Sequence, residues 1–222
     1  LAVDVAGAGL VHRIESRLRQ LIVTGALPGG AKLRQDHIAA EFGATAAPVR
    51  EALRRLESAR LVVSRPRRGV IVAPVSAADA LEVAEMRAAL EGLAIRSAIP
   101  HLTPTDVVAA AADINHVNPS AEIADWLQAN NDFHMTLYRP CARPRLLDAI
   151  VDLWLTSDRH LYQVWAALDY KSKSQDEHHA ILAACEAKDA DAAAALISQH
   201  ILNAGGALAR RLAAAPPDTR SS

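Results

Sequence analysis

Apolar positions along the first 75 residues recur at helical spacing and then switch to strand spacing. Val11, Ile14, Leu18, Leu21 and Ile22 predict an amphipathic helix over 11–24, because such positions line one face of a 3.6-residue repeat. Gly25 ends it, Pro28-Gly29-Gly30 makes a turn, and Ala31-Lys32-Leu33 is a short extended piece. Gln35 to Phe42 reads as a second helix with Ile38, Ala39 and Phe42 inward. Gly43 can take a positive φ, Thr45 offers a capping hydroxyl, and Pro48 falls in the first turn of a third helix. On that helix Val49, Ala52, Leu53 and Leu56 form one buried stripe, while Arg50, Arg54 and Arg55 point elsewhere. After Leu56 the β-branched runs 61–63 and 70–72 predict two strands joined by Ser64-Arg65-Pro66-Arg67-Arg68-Gly69, a hairpin with a basic tip. Gly69 is suited to the positive φ of that turn.

Beyond the linker Pro74-Val75-Ser76 only helical patterns follow, over about 77–99, 104–117, 121–139, 143–168, 174–187 and 189–212. Pro100, Pro104, Pro119, Pro140 and Pro144 fall at or near the boundaries, where a missing N–H is tolerated. The expected fold is mainly α: a winged helix-turn-helix over 11–75, an antiparallel six-helix bundle over 77–212, and a disordered tail over 213–222. The fourth bundle helix, with Trp154, Leu161 and Trp165, has apolar surface to spare for a partner.

Charge divides at the same place. Residues 1–75 hold 12 Lys+Arg against 6 Asp+Glu, and residues 76–222 hold 12 against 19, although the whole chain carries only −1. A basic front and an acidic back imply that the front alone meets a polyanion. A short helix anchored by one face and presenting arginines on another suits the DNA major groove, and a basic hairpin tip suits phosphates or the minor groove. The DNA-contact candidates are Arg34, Thr45, Arg50, Arg54, Arg65, Arg67, Arg68 and Gly69. Two cysteines, Cys141 and Cys185, are too few for a disulfide framework. No run of apolar residues is long enough to span a membrane, and the first ten residues lack a basic leader, so a cytoplasmic location is expected.

In the back half, Asn130 and His134 share a face with Trp126, Phe133 and Leu137. His178 shares one with Ile181, Leu182 and Cys185, and His200 one with Leu196, Ile197, Ile201 and Ala204. Three inward histidines on three helices each need a buried partner, and a shared divalent metal would satisfy them together. His179 is expected at the surface, and Glu177, beside a candidate ligand, is expected to turn away.

Two resemblances follow from these residues. Gly25 to Gly30, Leu33, Ala47-Pro48-Val49-Arg50-Glu51-Ala52-Leu53-Arg54-Arg55-Leu56 and Arg67-Arg68-Gly69-Val70 resemble the GntR family of bacterial transcription regulators. That resemblance implies a dimeric repressor or activator reading a short palindrome with Arg50, Arg54 and the wing. Family members carry Ser-Arg-Thr where this chain has Thr45-Ala46-Ala47, which removes a basic and a hydroxyl contact at the helix N-terminus. Arg87 to Glu91, Asn130 to His134, Glu177 to Leu182, Asp189 and His200 resemble the ligand-sensing FCD domain of FadR-type members, in the six-helix, VanR-like branch. The resemblance implies a zinc or nickel ion on His134, His178 and His200, with Asn130 where the family has Asp. It also implies a small carboxylate effector held by the metal and Arg87. By position, Arg159 on the fourth bundle helix and Asn203, one turn from His200, are further pocket candidates. A neutral amide in place of a carboxylate leaves the centre positive and favours an acidic effector. The readings from other classes are a sensor with the ion itself as signal, and a three-His metalloenzyme; against the enzyme stands the lack of a general base beside the ligands.

Overall fold

The chain divides into two units, Leu1–Val75 and Ser76–Ser222, each packed around its own buried residues. The computed structural model describes the backbone of residues 5–74, 76–115, 123–167 and 170–214, and side chains over the same residues except 5–8, 158–167 and 170–172.

In the first unit α1 (Val5–Val23) precedes β1 (Lys32–Leu33), α2 (Gln35–Phe42), α3 (Ala46–Ser58), β2 (Val62–Arg65) and β3 (Gly69–Val72). The three strands pair in the order β1-β3-β2, with Arg65 opposite Gly69 at the hairpin end. Val11, Ile14, Leu18 and Ile22 of α1 close onto Val49, Ala52, Leu53 and Leu56 of α3, with Ile38, Leu61, Val62 and Val72 completing the core. Gly43 ends α2 in the left-handed region at φ 58°, the sharp turn that a helix-turn-helix needs. In the wing, Gly69 has φ 75° and Arg67 also enters the left-handed region at φ 64°. Helix α1 starts at Val5, ahead of the expected Val11, since Ala6-Gly7-Ala8-Gly9 carries no apolar stripe by which to recognise it.

One local expectation fails. Thr45 takes the extended backbone of an N-cap, but its hydroxyl makes no capping bond. The reason is the sequence itself: a cap accepts from the N–H two or three residues on, and three residues on stands Pro48, which has none.

The second unit consists of α4 (Ala77–Ala98), α5 (Pro104–Asn115), α6 (Ile123–Tyr138), a 3-10 turn at Arg139–Cys141, α7 (Pro144–Ala167), α8 (Tyr170–Glu186) and α9 (Ala190–Ala214). Ser76 caps α4 by accepting from the Asp79 N–H at 3.0 Å. Helices α4 and α9 run antiparallel and very close: Gly205 lies against Ala84, and the Ser198 hydroxyl donates to the Ala88 carbonyl at 3.0 Å. Glycine is required at 205, since a Cβ there would stand 2.3 Å from that of Ala84. Phe133, Leu137 and Tyr138 of α6, Ile150 and Trp154 of α7, Ile181 and Cys185 of α8 and Ile197 of α9 fill the core. Trp154 is therefore interior, not the spare surface expected of it; Leu161 and Trp165 lie outside the described side chains. Helix α8 starts four residues before the expected 174, where Tyr170-Lys171-Ser172-Lys173 carries no apolar stripe to announce it.

Candidate metal centre and nucleic-acid interface

Helices α6, α8 and α9 each bring one imidazole to a common point inside the second unit. His134, His178 and His200 are all buried, and one nitrogen from each lies within 4.8 Å of the others. Their ring centroids form a triangle with sides of 5.4, 5.3 and 4.8 Å. Phe133 walls the cluster, its ring 4.4 Å from that of His178.

What the outer nitrogens do decides the chemistry. His200 Nδ1 sits 2.7 Å from Glu177 Oε2, and Asn203 Nδ2 donates to Glu177 Oε1 at 2.7 Å. Partial burial pushes the Glu177 carboxyl up, but the bonds from His200 and Asn203 and the charge of Lys173 outweigh it and hold the group below the usual range. Glu177 is thus ionised and accepts the Nδ1–H, which leaves the lone pair of His200 on Nε2. Tyr138 donates its hydroxyl proton to Glu91 Oε2 at 2.9 Å and receives His134 Nδ1 at 3.2 Å. Burial and the neighbouring Glu91 push the phenol well above its ordinary value. It stays protonated, and His134 must be the donor to its oxygen. Gln175 gives its amide nitrogen to the Ile114 carbonyl at 3.0 Å, so its oxygen faces His178 Nδ1 at 3.4 Å. All three rings therefore carry the proton on Nδ1, and the Nε2 lone pairs remain for the interior.

His134 Nε2, His178 Nε2, Asn130 Oδ1 and Ser174 Oγ are buried without a hydrogen-bond partner. Four such atoms on two facing helices are costly, and a divalent ion satisfies two or more of them at once. Two of the imidazoles are kept neutral as well: burial, then the repulsion of the neighbouring histidines, holds His134 and His178 well below the ordinary histidine value. Three clustered rings, backed by a carboxylate on His200 and a tyrosine-to-carboxylate relay on His134, fit the donor set of a bound metal.

Arg87 lies on the Glu91 side of this centre, and its charge is felt at His134. It is buried against Glu91, donating Nε to Oε1 at 2.7 Å and Nη1 to Ser157 at 2.9 Å. Glu91, fully buried, also accepts from Trp154 Nε1 at 2.9 Å. A small cavity of about 20 Å³ opens beside Arg87 and Ser157 and is otherwise lined by small and aliphatic residues such as Val83, Ile201 and Leu208. None of the three histidines lines it. Of the other pocket candidates, Asn203 is committed to Glu177, and the Arg159 side chain lies outside the described residues. Glu177 corrects its expectation, turning toward His200 because the two residues lie on adjacent packed helices.

On the first unit, Arg50, Arg54, Arg65, Arg67, Arg68, Gly69, Thr45 and Arg34 are all exposed. Glu51 holds Arg54 by a fork of two bonds, 2.9 and 2.8 Å, and Arg55 by one at 3.1 Å. Arg34 is similarly paired with Asp36 at 2.8 Å. These exposed carboxylates lend the guanidiniums a defined direction in the absence of a polyanion.

Comparison with known proteins decides the family. Residues 10–72 match the bacterial regulatory proteins of the gntR family, and residues 82–203 match the FCD domain. The chain belongs to the GntR family. It is 29% identical over 185 residues to the HTH-type transcriptional regulator McbR of Escherichia coli, covering 81% of this chain and 84% of that one. It is also 29% identical over 194 residues to a probable D-xylose utilization operon transcriptional repressor of Paenarthrobacter nicotinovorans, covering 85% of each. The solved structure of E. coli McbR/YncC superposes with a TM-score of 0.76 at 25% identity, over 91% of this chain and 98% of that one. This GntR member is a DNA-binding transcriptional regulator and not an enzyme. Among the described residues no helix is long and apolar enough to cross a membrane.

Sequence reasoning brought together His134, His178, His200 and Asn130 but missed Glu91, Tyr138, Gln175, Glu177 and Ser174. The spacing held a signal for three of them: Tyr138 lies one turn from His134, Ser174 one turn from His178, and Glu91 one turn from Arg87.

Proposed function

We propose that this regulator is a cytoplasmic homodimeric repressor whose affinity for a palindromic operator is set at a divalent metal centre in its FCD domain. His134, His178 and His200 are the ligands, with the Asn130 amide oxygen as a neutral fourth donor. The ion, zinc or nickel by its imidazole donors, supplies a Lewis-acidic point to which a small carboxylate effector attaches. The observation that supports this reading is the clustering of the rings: one nitrogen from each lies within 4.8 Å of the others, while Tyr138, Gln175 and Glu177 engage the three Nδ1 atoms. Arg50, Arg54, Arg34, Thr45 and the wing residues Arg65, Arg67, Arg68 and Gly69 contact DNA. Two recognition helices in a dimer meet half-sites about 34–36 Å apart, or a multiple, so a small change of spacing alters affinity. Effector binding then acts as a population shift between operator-competent and incompetent spacings.

The test is operator binding at stated salt across a zinc titration, then across a panel of small carboxylates with zinc fixed. Release of the operator by a carboxylate, only with metal present, supports the reading. Loss of operator affinity with zinc alone supports an ion-sensing regulator instead. That second reading draws on one observation: Arg87 is already neutralised by Glu91. Full metal content in His134→Ala protein overturns the ligand assignment.

A further inference from the structure

The outward face of α4 carries an unusual stripe. Glu82, Met86, Ala89, Leu93 and Arg96 follow one another at steps of four, three, four and three, and all five are exposed. Met86 is 46% and Leu93 43% exposed, although most large apolar side chains of this unit are buried. A 4-3-4-3 spacing is the heptad seam by which two helices pack side by side. Its centre is apolar and its ends are charged, acidic toward the N-terminus and basic toward the C-terminus. That order selects one partner. If a second copy of α4 lies antiparallel about a twofold axis at Ala89, Met86 meets the partner's Leu93, and Glu82 meets the partner's Arg96. A parallel pairing would instead set Glu82 against Glu82 and Arg96 against Arg96, at a cost. Small Ala89 on the axis lets the backbones approach.

The apolar surface does not stop at the stripe. Leu81 lies beside it on α4, 41% exposed. Leu202 of α9, midway along the seam between Ser198 and Gly205, is 39% exposed. Arg96 now pairs with Asp191 at 2.7 Å, both well exposed, a bond that water screens and that exchange for a partner's carboxylate scarcely penalises.

We infer that α4 is the homodimer interface, two copies packing antiparallel about Ala89 with reciprocal Glu82–Arg96 pairs. The inference rests on the dimeric reading above and adds its surface and register. An isologous contact of this kind closes on itself and does not propagate.

The experiment uses the full chain. Its mass is measured by light scattering, and Ala89→Cys protein is exposed to mild oxidant, since a disulfide needs Cα atoms about 4.4–6.8 Å apart. Native Cys141 and Cys185 are buried, and wild-type protein is the control for them. The expected result is a dimer whose Ala89→Cys form becomes covalent while wild type does not. Glu82→Arg or Arg96→Glu alone should weaken the dimer about tenfold, as two symmetry-related pairs become repulsive, and the double exchange should restore it. That rescue separates interface loss from misfolding. A wild-type dimer that neither cross-links at position 89 nor shows the rescue overturns this interface but leaves the dimer. A wild-type monomer at micromolar concentration overturns both.

Discussion

Tyr138→Phe removes one oxygen and tests the outer half of the metal centre. The phenol is fully buried, donates to Glu91 at 2.9 Å and accepts from His134 Nδ1 at 3.2 Å. Phenylalanine keeps the ring, so packing against Trp154 and the core is conserved. What is lost is one bond to a carboxylate, worth about 1.5–3 kcal/mol. The His134 Nδ1–H is also left without an acceptor. Glu91 keeps Arg87 and Trp154, so its charge remains compensated, and the net destabilisation should be about 2 kcal/mol. The second consequence is specific to the centre. Without an acceptor for Nδ1–H, the proton of His134 is free to move to Nε2, the nitrogen a metal needs. Loss of such a backing bond lowers metal affinity about 10–100-fold. Urea denaturation of metal-free protein gives the first quantity, competition against a chromophoric zinc chelator the second, and nitrogen-15 shifts of the His134 ring report the tautomer directly. Unchanged zinc affinity with an Nδ1–H tautomer still present would refute the relay, whatever the stability did.

Acidification should destabilise the metal-free protein below about pH 6.5. The folded-state values of His134 and His178 are depressed by burial, so below the unfolded value of 6.5 the unfolded chain binds more protons, and stability falls with pH by up to about 1.4 kcal/mol per unit per histidine. A flat urea midpoint from pH 7 to 5 would contradict this; saturating zinc, which holds the imidazoles unprotonated in the folded state, should raise the midpoint without flattening the slope. Thr45→Ala should change stability by less than about 0.5 kcal/mol, whereas Ser76→Ala, which removes a formed cap, should cost about 1 kcal/mol; equal effects in thermal melts would count against the cap assignments. Gly205→Ala should cost about 1–3 kcal/mol by forcing α4 from α9, read as a lowered urea midpoint. Arg50→Ala should weaken operator binding by about 1–3 kcal/mol if it contacts a base, and a loss equal on random DNA would show a phosphate contact instead.

Long periodic elements were legible because one face of each is buried. The stripe on α3, the β-branched strands and the six later helices all follow from the spacing of Val, Leu and Ile. Two helix starts were not, since Ala6-Gly7-Ala8-Gly9 and Tyr170-Lys171-Ser172-Lys173 show no amphipathic contrast. The three histidines were legible for the same reason as a core leucine: each stands where an apolar residue is expected. Their supporting residues were harder. Glu91 reads in sequence as a charged residue on a helix of mixed polarity, and only the fold shows that Arg87, Tyr138 and Trp154 converge on it from three helices. Thr45 shows the converse case: its residue type suits a cap, but Pro48, three residues on, has no N–H to give it.

Helix α4 links several features of the second unit. Its inner face carries Arg87 and Glu91, and Glu91 stands one phenol away from His134. Its flank packs without clearance on α9, which carries His200, at Ala84–Gly205 and Gly92–Ser198. Its first residue follows the Ser76 cap, directly after the winged helix unit. On the function proposed above, a metal that drew His134 and His200 together would pull on α4 twice, through the Tyr138–Glu91 relay and through the α9 contact. Close-packed helices respond by shifting as bodies and not by local yielding. If the outer stripe of the same helix pairs two subunits, such a shift is felt at once in both copies, and the small residues along α4 are what make the coupling tight. Substituting Ala84 or Gly205 should accordingly alter the response to ligand as well as stability.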